Sequence, residues 1–163
     1  MPGAIWSRYL SDDGTTTGNK SAIGDYSGAA EEWYLEAAAG QRLHVHRLLI
    51  GYEDAGGGTA EEYGNIGSAL TNGIELEVRD EDDVVEMDLT DSVPIKSNGQ
   101  WAVVCHDAQR KDWGAGDDLY TVRWTFAKAG DDILLQPGWK LVVKLNDSFV
   151  GLVSHYFLAQ GHY

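Results

Sequence analysis

His44 and His46 lie two positions apart in Leu43-His-Val-His-Arg-Leu-Leu-Ile50, a run rich in apolar side chains. On a strand, residues two apart share a face, so both imidazoles could be offered to one metal ion. Two ligands do not make a site. His106 or His155 would have to complete it, and nothing in the spacing brings either one there. The pair therefore reads as half-exposed or hydrogen-bonded histidines, and no metal ligands are expected. Cys105 and His106 are adjacent, but neighbours on a strand point to opposite faces, so thiolate and imidazole would not meet. Within Trp101-Ala-Val-Val-Cys105 the cysteine reads as a small buried apolar residue. The nucleophile elbow G-x-S-x-G and the zinc-protease pattern H-E-x-x-H are both absent. So are the Walker A loop and G-x-G-x-x-G, since Gly56-Gly57-Gly58 lacks the Gly-Lys-Thr that would follow. Any glycosidase-like carboxylate pair is uninformative among 26 acids. The expectation is a protein that is not an enzyme, with no catalytic residues and no cofactor.

The densest anionic stretch is Arg79-Asp-Glu-Asp-Asp83, followed by Glu86, Asp88 and Asp91. It lacks the D-x-[DN]-x-[DN]-G calcium loop. It reads as a solvated turn between two strands, with Ca²⁺ or a basic patch on another protein as the functional alternative. The doublets Asp117-Asp118 and Asp131-Asp132 read as solubilising tips of strand connections.

The elements that would position these groups have period two. Strands are expected near Trp33–Ala38, Gln41–Tyr52, Gly73–Arg79, Val84–Leu89, Val93–Lys96, Trp101–His106, Leu119–Ala127, Lys140–Leu145 and Leu152–Gln160. In Gly73–Arg79, Ile74, Leu76 and Val78 face a core while Glu75, Glu77 and Arg79 face water. Tyr120, Val122, Trp124 and Phe126 make a second apolar face. Thr71-Asn-Gly73, Ser97-Asn-Gly99, Ala129-Gly-Asp-Asp132 and Gln136-Pro-Gly138 supply the turns. Glu31–Ala39 has helix-favouring residues, yet Trp33, Leu35 and Ala37 alternate. Such strands without a βαβ rhythm or a fixed repeat point to an all-β fold, a single jelly-roll-type antiparallel β-sandwich over residues 28–163. An immunoglobulin-like sandwich would be the nearest competitor, but its Cys…Trp…Cys pattern is missing.

Residues 1–27 read as an extended N-terminal arm, with a polar, Gly-bearing run over residues 11–21. Just before that run, Ile5, Trp6, Tyr9 and Leu10 form an apolar knot. It either tucks onto the edge of its own domain or makes a partner contact on a neighbouring subunit.

The 163 residues carry 26 acidic and 12 basic side chains, a net charge of −14. The basic residues are scattered from Arg8 to Lys144, which argues against nucleic acid and against an anionic membrane surface. An apolar content of 43%, with six Trp and eight Tyr, suffices for a core. One cysteine leaves no intramolecular disulfide, as expected for a protein made in a reducing cytosol. No apolar stretch reaches bilayer length, and no signal peptide is read at the start.

The order Leu70-Thr-Asn-Gly-Ile74, Asp88-Leu-Thr-Asp-Ser-Val-Pro-Ile-Lys96, Trp113-Gly-Ala-Gly116, Arg123-Trp-Thr-Phe-Ala-Lys128, Leu145-Asn-Asp147 and His155-Tyr-Phe157 resembles small virion proteins of tailed bacteriophages. The similarity runs from about Tyr34 to Tyr163 and rests on short strings. It implies a β-sandwich structural subunit, a capsid decoration (cement) protein on the capsid exterior of the virion, made in the host cytoplasm. Its implied partners are the major capsid protein and itself, as a homo-oligomer, with a trimer expected because shell proteins meet at threefold points. A head-fibre or tail-tip receptor- or carbohydrate-binding module is the alternative, with Trp113 and Trp139 as stacking residues. A metalloenzyme on a double-stranded β-helix, using His44, His46 and an acid, is a third. The recurrence of period-two runs predicts a far-ultraviolet circular dichroism spectrum dominated by β-structure; strong helical minima would contradict it.

Overall fold

The computed structural model describes residues 4–9, 31–54, 72–90, 106–112, 118–126, 132–146 and 152–163. Ten strands form among them: β1 (Ile5–Tyr9), β2 (Glu31–Glu36), β3 (Leu43–Asp54), β4 (Ile74–Arg79), β5 (Val85–Asp88), β6 (His106–Asp112), β7 (Asp118–Thr125), β8 (Ile133–Leu135), β9 (Lys140–Leu145) and β10 (Leu152–His162). They make two antiparallel sheets, one ordered β1-β10-β3-β7-β6 with β8 also on β3, the other β2-β9-β4-β5. No α-helix occurs among the described residues. The chain is all-β, as its periodicity predicts.

Alternation decides which faces meet. Trp33 and Leu35 of β2, Ile74, Leu76 and Val78 of β4, and Leu141, Val143 and Leu145 of β9 are all buried. They share one core with Leu48 and Ile50 of β3, Trp124 at the end of β7, and Phe157 and Ala159 of β10. Trp33 stacks on Phe157 with ring centroids 4.6 Å apart, a contact from one sheet to the other. Through β2 and on to Ala37 just beyond it, the alternation of Trp33, Leu35 and Ala37 prevails over the helix preference of Ala and Glu, because an extended chain buries all three on one side. At Gln136-Pro-Gly138, Trp139 N–H donates to the Gln136 carbonyl at 2.9 Å and Gly138 has φ +83°. Proline second and a left-handed glycine third make this a type II turn.

Three strands depart from the expected set. β6 covers His106–Asp112, one step beyond the expected strand Trp101–His106; its sequence His-Asp-Ala-Gln-Arg-Lys-Asp has no apolar alternation. Among the described residues it is an end strand paired only to β7. β8 has three residues, too short to show a period. β1 lies within the expected arm, and it pairs along β10 from Ile5↔His162 to Tyr9↔Leu158. The expected strand Val93–Lys96, residues 101–105, Leu10 and the polar run 11–21 lie outside the described residues.

Trp6 on β1 is only 5% exposed and belongs to the shared core, while Ile5 is 88% exposed. Burying an indole of roughly 150–250 Å² contributes about 4–6 kcal/mol before ordering costs. Trp6 thus docks on its own domain. It has room because its register partner is Gly161. A Cβ on Gly161 would overlap the backbone carbonyl oxygen of His44 and lie 2.7 Å from the Trp6 ring. Gly161→Ala is therefore expected to cost more than about 3 kcal/mol, read as a lowered urea midpoint. Adding Trp6→Ala will not rescue it, because the His44 carbonyl cannot move aside; recovery of wild-type stability in the double variant would contradict this account.

Candidate functional site

At this same corner β3 carries a β-bulge. Gln160 pairs with Arg47 but Gly161 pairs with Val45, so His46 is the extra residue on β3. The bulge resets the alternation: Leu43 and Val45 point inward, His46 and Arg47 both point outward, and Leu48 and Ile50 point inward again. His44 and His46 thereby share the outer face, as their spacing predicts. Register supplies the rest. His162 on β10 is the direct partner of His44. Val45↔Ile133 on β8, continued one step, brings Asp132 opposite His46.

The side chains converge. His44 Nδ1 lies 3.1 Å from Asp132 Oδ2, His46 Nε2 3.6 Å and His162 Nδ1 3.9 Å from that same oxygen. His162 Nδ1 and His46 Nε2 are 2.6 Å apart, a hydrogen bond between ring nitrogens. The His44 and His162 rings stack at 4.4 Å, and His46 is tilted against His162 at 4.7 Å. All four side chains are part-exposed, from 25% at Asp132 to 40% at His46. Three imidazoles and one carboxylate from three elements thus meet in a pocket of donor atoms that solvent can reach. Sequence reasoning identified the pair His44 and His46 but not the other two. Nothing in the local pattern marks His162, and Asp132, expected at a solubilising tip, faces all three histidines instead. Only the strand register could have found them. The side chains of His106 and His155, considered as completing ligands, lie outside the described residues, as do Cys105 and Trp113.

Comparison with known proteins adds no family: no protein-family model and no curated sequence matches the chain.

A second cluster lies on the outer face of the smaller sheet. Arg79 donates to both carboxylate oxygens of Glu32, at 3.0 and 2.7 Å, and to Glu77 at 2.9 Å. Lys144 reaches Glu75 at 2.7 Å and Glu77 at 3.4 Å. The expectation that Glu75, Glu77 and Arg79 face water is thus corrected: Glu77 and Arg79 side chains are only 12% and 14% exposed. Their cross-strand partners explain it, since Lys144 is in register with both Glu32 and Glu75. Each carboxylate has a cationic partner, with Glu77 shared between Arg79 and Lys144, so the cluster is structural. The acidic run 80–83 forms the β4–β5 turn: the Asp80 carboxylate accepts the Asp82 and Val84 N–H groups, and Asp83 pairs with Lys140 at 2.7 Å. Trp139, expected as a stacking residue, packs against the core.

The hydrogen bond to Glu75 holds the Lys144 ammonium above its ordinary value of 10.5. A raised amine pKa contributes stability that is complete below the unfolded value and is lost as pH rises through the folded one. The urea midpoint should therefore fall on raising the pH above 10.5, and should fall less steeply in Lys144→Met; identical alkaline slopes would contradict the assignment.

Proposed function

We infer that this chain is a non-enzymatic structural subunit of a tailed-phage virion, a capsid decoration protein on the shell exterior, with its two sheets read as a jelly-roll-type sandwich. The class comes from the strings resembling small virion proteins. The observation that supports attachment is the outer edge of the smaller sheet. β5 ends that sheet among the described residues, and beside it Val84, Val85 and Met87 are 55%, 48% and 48% exposed. Apolar side chains along an open strand edge are unusual in a monomer, because such an edge is a template for pairing. Here the edge sits on a strongly acidic protein, whose net charge of −14 keeps free copies apart until several contacts form together. Contact between copies and with the major capsid protein would cover the edge, and an oligomer would multiply each weak contact through effective concentration.

The arm enters this reading in a reduced form. With Trp6 in its own core, Ile5 is the apolar residue that remains exposed among the described side chains of β1. A trimer follows from the resemblance and from shell geometry.

The test is light scattering of the purified chain and co-sedimentation with undecorated capsids, for wild type and for Val85→Lys/Met87→Lys. Wild type should be oligomeric and saturate the particles, and the double variant should remain folded and lose most of its occupancy. Unchanged occupancy would remove β5 from the contact. A wild-type protein that binds no capsid at all, yet is retained by a glycan surface, would favour the fibre-tip module; the open depression lined by Arg42, Pro137 and the exposed Tyr163 would be its sugar site.

A further inference from the structure

We propose that His44, His46, His162 and Asp132 form a four-ligand site for a divalent transition-metal ion of the zinc class, tying β3, β10 and the residue before β8 together on the outer face of the larger sheet. The inference goes beyond the structural role above and does not depend on it.

The donor set comes first. Imidazole nitrogen and carboxylate oxygen are zinc ligands, and three of the one with one of the other complete a tetrahedron without solvent. His44, Asp132 and His162 each present a ligand atom within 4.8 Å of the others. His46 Nε2 is nearer still to two of these residues, at 2.6 Å from His162 Nδ1 and 3.6 Å from Asp132 Oδ2. Bonds of about 2.0–2.1 Å in a tetrahedron put ligand atoms roughly 3.3–3.4 Å apart. Four of the six donor–donor edges, at 2.6, 3.1, 3.6 and 3.9 Å, bracket that length. Closing the site on an ion requires the His44 and His162 rings to turn out of their parallel stack, because the ion must lie in the plane of each ring that binds it.

Charge supplies the second argument. A divalent cation at the centre of the cluster would accept one ring lone pair from each imidazole and offset the Asp132 carboxylate.

Backbone supplies the third. Regular pleating would alternate residues 44 to 50 strictly, so that Leu48 and Ile50 would follow His44 and His46 to the outer face. The bulge at His46 keeps both histidines outside while returning Leu48 and Ile50 to the core. Bulges of this kind re-aim side chains at functional sites. With four protein ligands the site is closed, so its role is to hold strands together and not to activate water.

The test uses the full-length, untagged chain stripped with a chelator. Titration with ZnCl₂ should saturate at one ion per chain, and Co²⁺ should give the intense visible absorption of four-coordinate cobalt. A hundredfold zinc excess over the dissociation constant should raise the thermal midpoint by about 5–10 °C. His162→Ala and Asp132→Asn should each weaken zinc binding by more than about a hundredfold, beyond the cost of losing an outer-shell partner. Because these variants could also disturb the fold, the wild-type protein provides an independent measure. Adding zinc should shift the imidazole ¹⁵N resonances of His44, His46 and His162 and leave those of His106 and His155 in place. No saturable zinc binding by the wild type, or shifts confined to His106 and His155, would overturn the proposal. Zinc binding without capsid binding would leave the site standing and remove the virion role, and the converse would do the opposite.

Discussion

The structure turns on the close passage of two backbones, where Gly161 of β10 lies against the carbonyl of His44 on β3. No side chain fits there. The space left by the absent Cβ admits the Trp6 indole on the core side, and the accompanying bulge puts His46, which has no register partner on β10, on the solvent side. One glycine thus serves both faces of the sheet: it lets an N-terminal strand close the edge of β10 through a buried aromatic, and it allows the histidines to gather outside. A larger residue would disturb both at once, because the inward and outward arrangements share one backbone.

The two sheets treat their outer faces differently. On the smaller sheet, Arg79 and Lys144 are matched by Glu32, Glu75 and Glu77, which lets Glu77 sit nearly buried without an uncompensated charge. Val142 is buried on that same face, between its register partners Tyr34 and Glu77. On the larger sheet, the corner carries imidazoles around a single carboxylate. The carboxylates of Glu32, Glu75 and Glu77 on the smaller sheet are thus each given a cationic partner, while the β4–β5 turn uses its acids as backbone acceptors and as a partner for Lys140.

Much of the core was legible in the amino-acid sequence. Ile74, Leu76 and Val78 alternate so cleanly that strand, face and burial followed together, and Lys140–Leu145 coincides with β9. β6 escapes a reading of the sequence because Arg110, Lys111 and the two aspartates give no apolar period; its pairing to β7 is long-range information. Trp6 carried two readings, since composition marks it as needing burial without saying where. The histidine cluster was half legible: the i, i+2 spacing put His44 and His46 on one face, but His162 and Asp132 reach it only through long-range register and a bulge that no local pattern encodes.

Pairing of Ile5 with His162 joins nearly the two extremes of the chain in one ladder. The entropy of closing so long a loop must be overcome before that ladder contributes anything, so folding should begin in local hairpins such as β4–β5 and β6–β7. β1 then joins late, and until it does the outer edge of β10 has no strand beside it. Refolding at high concentration would consequently set the arrival of the chain's own first strand against the approach of a neighbour's.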